Sequence, residues 1–187
     1  MKRLIYEFKA RLNGEEQVRA ALKKLNARFI GTDHQIDTYF RVASGRLKVR
    51  EGRIENALIF YRRENARRAR RSAVELMLLP PRNSMRAILD HSLGTLAVVD
   101  KRREIYFVKN VKIHLDSVRG LGKFVEVEAI SRTDDLKRIR TQARQFQEQF
   151  GITSKDIVAE SYSDLILMKS AGTGRNHRSG ETALRPE

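Results

Sequence analysis

The sequence contains no cysteine. Disulfides, thiol nucleophiles and zinc sites built on cysteine are therefore excluded. Histidine is scarce, with four residues and no metal-ligand spacing among them. No apolar run reaches the ~18 residues of a membrane-spanning helix. Met1-Lys2-Arg3 leads directly into a strand pattern and shows no secretory leader. A cytoplasmic protein without a membrane partner is expected. Acidic residues are in deficit: 23 Asp and Glu face 38 Lys and Arg, a net charge of +15 over 187 residues. Residues 170 to 187 hold only +1 of it, so the excess belongs to the body of the chain. A basic body predicts polyanionic partners such as phosphates, nucleotides or nucleic acid. The length and a hydrophobic content of 41% suit one domain with a sizeable core.

What the chain has in quantity is alternation. In Phe124-Val125-Glu126-Val127-Glu128-Ala129 the valines and Ala129 point one way and the two glutamates the other. Two carboxylates side by side on a strand face repel. They are relieved either by solvent or by a hard divalent cation with a preference for oxygen ligands. Leu4 to Leu12 sets Leu4, Tyr6, Phe8, Ala10 and Leu12 against Glu7, Lys9 and Arg11. Further strands are predicted over Gln35–Ala43, Arg46–Glu51, Ala57–Glu64, Arg70–Leu79, Leu96–Lys109 and Val111–Val118. The strand over Arg46–Glu51 sets Arg46, Lys48 and Arg50 on one face, and that over Val111–Val118 opposes Lys112, His114 and Asp116 to Val111, Ile113 and Leu115. An arginine-rich hairpin tip, Arg67, Arg68, Arg70 and Arg71, reads as a solvated turn, with nucleic-acid capture as the other reading.

Helices are predicted at four places. One is capped by Asn13 with Glu16 in the capping-box position and buries Val18, Ala21, Leu22 and Leu25. A short one over Ser84–Ser92 turns Met85, Ile88 and Leu89 inward. A long one is capped by Thr133, with Asp134 and Asp135 in its first turn, and buries Leu136, Ile139, Ala143, Phe146 and Phe150. The last occupies Ser154–Lys169. Residues 1–169 form the expected domain, and residues 170–187 a flexible tail.

About eight strands, each with one apolar and one charged face, fit a sandwich poorly, because a sandwich wets its charged faces. Amphipathic helices covering the apolar faces allow the charged faces to meet inside a closed barrel. That lumen gathers Glu7, Asp116, Glu126 and Glu128 with Lys9, Arg46, Lys48, Arg50, Arg63, Arg70, Lys101, Arg103, Lys112 and His114. Barrels of this strand number enclose one small ligand. Arg forks and Lys charges grip phosphate oxygens, while the carboxylates hold a metal that bridges to the same phosphates. His114 reads either as a proton carrier or as a structural hydrogen-bonding residue, and Tyr162 either supports the mouth or packs.

These residues resemble the CYTH or triphosphate tunnel metalloenzyme superfamily, and most of all its class IV (class 2) adenylyl cyclase-like branch. The resemblance rests on Glu7-Phe8-Lys9-Ala10, Gln35 to Phe40, Gly45 to Glu51, Tyr61-Arg62-Arg63, His114-Leu115-Asp116, Leu121 to Glu128 and Glu160 to Leu165. It implies an α+β fold, an eight-stranded antiparallel β-barrel (the triphosphate tunnel) with helices packed outside. It implies a metal-dependent reaction on a triphosphate-containing small molecule, ATP or inorganic triphosphate, with Mg²⁺ or Mn²⁺ as cofactor. The catalytic set is then Glu7, Lys9 and Asp116, and the metal ligands Glu126, Glu128 and Glu7. The substrate-binding set is Lys9, Arg46, Lys48, Arg50, Arg63, Arg70, Lys101 and Arg103. Adenylyl cyclase-like chemistry leads, a triphosphatase acting on inorganic, nucleoside or thiamine triphosphate is the alternative, and a non-catalytic nucleotide or polyphosphate binder a further one. Nucleic acid is not expected as a partner, and a homodimer is compatible with the exposed hairpins. The family's Glu-x-Glu-x-Lys signature is broken, because Ile5 stands where the first Glu belongs. The resemblance ties that carboxylate to a second metal or to water activation, so a one-metal site or weaker hydrolysis is implied.

Overall fold

The computed structural model describes residues 2–63, 68–131 and 135–173. Eight strands close into a ring, helped by four helices. They are β1 (Lys2–Arg11), β2 (Arg28–Phe40), β3 (Arg46–Glu51), β4 (Ala57–Arg63), β5 (Arg70–Leu78), β6 (Thr95–Val108), β7 (Val111–Val118) and β8 (Gly122–Ser131). The helices are α1 (Glu16–Lys24), α2 (Met85–Leu93), α3 (Leu136–Gln149) and α4 (Tyr162–Thr173). Around the ring the order is β1-β5-β4-β3-β2-β6-β7-β8, with every neighbouring pair antiparallel. The expected barrel is present, and closure removes the open sheet edges that would invite unwanted pairing.

Alternation decides what lies inside. On β1, Phe8 and Ala10 are buried on the outer face, while Ile5, Glu7 and Lys9 face the lumen. Val125, Val127 and Ala129 of β8 and Ile113 and Leu115 of β7 join that outer face. Val18 and Leu22 of α1 and Ile139, Ala143 and Phe146 of α3 cover it, so the main hydrophobic core lies outside the barrel. The opposite wall is barer: Val98 and Met77 remain 46% and 49% exposed. No helix among the described residues is long and apolar enough to cross a membrane.

Several local expectations are corrected. Asn13 does not cap α1; the helix starts later, from Glu15, whose carboxylate instead meets Arg19 and Lys123. β2 begins at Arg28, before the expected Gln35, because its first half pairs along β6, and it ends at Phe40, short of Ala43. α2 buries no residue and leaves Ile88 58% exposed. It is fixed by hydrogen bonds at its ends: Met85 N–H donates to Asn83, and Thr95 N–H to Asp90. Asp135 caps α3 by accepting from Arg138 N–H, and Thr133 and Asp134 lie outside the described residues. Residues 154–161 are not helical, since Ile157 bridges to Ala10 and Val158 N–H donates to the Lys9 carbonyl. α4 starts at Tyr162 behind a capping box, in which Ser161 N–H donates to Asp164 and Asp164 N–H to the Ser161 hydroxyl. It runs through Thr173, past the start of the expected tail, whose residues 174–187 lie outside the described ones.

Candidate active site

The barrel encloses a cavity of about 380 Å³. β2, β3 and β6 line one side of it with cations. Strand register sets Arg50 opposite Asp37, and Asp37 accepts from Lys48 (2.8 Å), Arg50 (2.8 and 2.9 Å) and Lys101 (2.5 Å). All four side chains are buried. Burial would raise the Asp37 pKa, but Arg50, Lys101 and Lys48 outweigh it and hold the carboxyl well below its ordinary range. Burial, with Arg50, Arg103 and Lys48 crowding it, pushes Lys101 down to about 7 against the pull of Asp37. Glu55 bridges Arg50 (2.8 Å) and Lys112, and also accepts from Gln35.

β1, β7 and β8 supply the other side. Cross-strand pairing places Glu7 beside Glu128 and Lys9 beside Glu126, then Lys112 beside Glu128 and His114 beside Glu126. Arg103 forks onto Asp116 (2.7 and 2.5 Å) and reaches Glu126 at 2.6 Å. The Tyr162 hydroxyl donates to Asp116 at 2.8 Å, and its ring lies 4.1 Å beneath the Lys9 ammonium. Tyr162 therefore supports the site through both its ends. Burial acts to raise the Glu126 pKa, but the charges of Arg103 and Lys9 hold it well below the ordinary value. Glu128 is pushed up by burial and by Glu7 and Glu126, against the pull of Lys112. Burial first, then the charge of Arg103, depresses His114 to about 3, so the imidazole is neutral at pH 7. Neither ring nitrogen has a hydrogen-bond partner among the described residues.

The residues expected from the sequence do not all reach the cavity. Glu7, Lys9, Lys48, Arg50, Lys101, Arg103, Glu126 and Glu128 line it. Asp116 stands behind Arg103 and fixes its guanidinium. Arg46 sits at the α4 end, bonded to Asp164 at 2.8 Å. Arg70 is buried in register with Glu7, with its Nε 3.9 Å from the Glu7 carboxylate, while Arg68 and Arg71 on the same hairpin are exposed. Arg62 turns outward to Ser44. Arg63 pairs with Ser72 along the backbone, and its side chain, like Arg67 at the hairpin tip, lies outside the described residues.

Two residues absent from the lumen set expected from the sequence are central: Asp37 and Glu55. With them, six cations and five carboxylates line the cavity among the described residues. The large cationic excess expected from the sequence is therefore smaller, and most of the charge is already paired. Asp37 alternates in step with Tyr39, which shares the lining, so the signal existed. Glu55 lies between two strands and carries no periodic signal.

The donor chemistry fits a divalent cation. Glu126, Glu128 and His114 bring three ligand atoms within 4.8 Å of one another. Glu128 is a carboxylate whose ionisation its neighbours oppose, and a cation relieves that. Lengthwise the cavity is polar at its centre and at the α4 end, where Ser161 and Tyr162 stand, and apolar towards Ile30, Ile54, Leu78 and Phe107.

Comparison with known proteins agrees with the architecture. A protein of Methanocaldococcus jannaschii named as a candidate adenylate cyclase is 26% identical over 170 residues, spanning 85% of this chain and 96% of that protein. The structure of a candidate adenylate cyclase from Vibrio parahaemolyticus matches with a TM-score of 0.72 at 19% identity, covering 88% of this chain and 98% of the other. An adenylyl cyclase candidate from Hippeastrum, described as revealing a dominant triphosphatase activity, matches with a TM-score of 0.57 at 13% identity, covering 90% and 96%. The family model for the CYTH domain matches residues 4–162. The chain belongs to the CYTH domain family.

Proposed function

We propose that this protein is a metal-dependent enzyme that binds a triphosphate inside the barrel and cyclises a nucleoside triphosphate, releasing pyrophosphate. The observation that carries the reading is the division of one cavity into facing halves. Lys48 and Arg50 of β3 and Lys101 of β6 are gathered on Asp37 of β2, and Glu126 and Glu128 stand together on β8. Phosphoryl chemistry asks chiefly for positioning and charge neutralisation. Cations held in place by Asp37 and Asp116 pay no reorganisation cost when phosphate oxygens arrive. A triphosphate carries more negative charge than a lining of six cations and five carboxylates can neutralise alone. Glu126 and Glu128, with Glu7 beside them, would hold Mg²⁺ or Mn²⁺, which supplies the missing positive charge and polarises the phosphate. Lys48, Arg50, Lys101 and Arg103 bind phosphate oxygens, and Lys9 takes the developing charge of the leaving group. Glu7 accepts the proton of the ribose 3′-hydroxyl as its oxygen bonds to the α-phosphorus and the bond to pyrophosphate breaks. The apolar stretch at Ile30, Ile54 and Phe107 suits an organic group on the triphosphate.

Triphosphatase activity is the second reading, since the same binding set serves water as nucleophile, and the Hippeastrum protein of like fold is described that way. To separate them, the full chain is incubated with Mg²⁺ or Mn²⁺ and either ATP or inorganic triphosphate, and products are resolved by anion exchange. Cyclic AMP with pyrophosphate is the expected outcome. Free orthophosphate from either substrate would make the protein a triphosphatase. Tight triphosphate binding without product would leave a binding protein.

A further inference from the structure

His114 is a buried ionisable group that the proposed reaction leaves unused. It stands on β7 opposite Glu126 of β8, and its side chain is 1% exposed. Ile113 and Leu115 beside it are locked into the outer core, so the ring cannot swing out to find solvent. A buried ring with neither nitrogen bonded is rare enough in folded proteins to require a reason. Its Nδ1 lies 3.8 Å from Glu126 Oε2 and 3.9 Å from Glu128 Oε1. Both distances exceed a hydrogen bond, and they are nearly equal. Two donors on one ion, each at about 2.0–2.2 Å from it, lie roughly 3–4 Å apart. Arg103 also donates to Glu126 Oε2, but an ionised carboxylate keeps further lone pairs for a second partner.

We propose that His114 is a further protein ligand, through Nδ1, of the divalent ion assigned above to Glu126 and Glu128 with Glu7 beside them. The inference rests on that metal reading. It changes the kind of ion the site selects. Magnesium prefers an all-oxygen shell, whereas manganese, cobalt and zinc accept imidazole readily. A site with an imidazole nitrogen beside its carboxylates therefore takes a first-row transition divalent ion ahead of magnesium.

The test binds Mn²⁺ to the full chain without substrate and records electron spin-echo envelope modulation, beside a calorimetric titration of Mn²⁺ and Mg²⁺. The expected result is a ¹⁴N modulation that changes to ¹⁵N when the protein carries ¹⁵N-histidine. In His114→Gln the modulation disappears and Mn²⁺ affinity falls by about tenfold or more, with a smaller loss for Mg²⁺. Mn²⁺ bound without nitrogen modulation overturns the role of His114 and leaves the carboxylate site standing. No Mn²⁺ binding by the wild-type chain overturns both. If His114→Gln fails to fold, the isotope-labelled wild-type spectrum still decides.

Discussion

Asp37 takes hydrogen bonds from Lys48, Arg50 and Lys101 at one carboxylate. Removing its charge leaves three cations buried together, and breaking a buried pair in this way costs about 3–5 kcal/mol. Asp37→Asn is expected to lose that much in urea unfolding; a loss under about 1 kcal/mol would show that the cluster is open to solvent. Lys101 gives a pH signature. Its folded pKa of about 7 lies below the ordinary lysine value. Between about pH 7 and pH 10 the unfolded chain thus binds the extra proton, and this group's contribution to stability rises with pH. Over the same window the cavity loses a cation. Triphosphate affinity is expected to fall as pH rises through about 7, and Lys101→Met to flatten that dependence in titration calorimetry. An unchanged slope in the variant would remove Lys101 from the phosphate-binding set.

At the scale of elements, the two faces of each strand carry separable duties. Ile139 of α3 is fully buried against the outside of the barrel. Ile139→Ala should cost about 2–5 kcal/mol of stability and leave metal affinity within about twofold, since sites without shared partners behave independently. Glu128→Gln should do the reverse. Burial, Glu7 and Glu126 all oppose the charge of Glu128, so the metal-free variant unfolds at a higher temperature while Mn²⁺ binding weakens. A lower melting temperature would mean that Glu128 is already stabilised without a cation. The strands were legible because a half-buried strand must alternate, and the central stretches of β1, β3, β7 and β8 do so (Tyr6 to Arg11, Arg46 to Arg50, Val111 to Asp116 and Val125 to Ala129). Their cations and the Glu126/Glu128 pair could be read on that basis alone. Asp37 was not legible as a hub, because a single acid on a strand does not announce which cations two neighbouring strands bring to it. Glu55 escaped because it lies off the strands, and the α4 start because Ile157 spends its apolar side on β1. The Asn13 cap failed because sequence spacing cannot say where the chain leaves β1.

For the whole molecule, closure of the ring turns eight amphipathic strands into one enclosed polar site, with the main core displaced outward under α1 and α3. The net charge of +15 is therefore of two kinds. Lumen cations are mostly paired and fixed, whereas Arg68 and Arg71 on the β4–β5 hairpin face solvent. A polyanion could in principle bind at either place, and the two differ in salt dependence. The most direct test is a crystal structure of the full chain with Mn²⁺ and a non-hydrolysable ATP analogue, with anomalous data at the manganese edge. The expected result is the triphosphate inside the barrel against Lys48, Arg50, Lys101 and Arg103, with a manganese peak beside Glu126 and Glu128. A nucleotide held on the outer surface, with no manganese peak in the cavity, would contradict it.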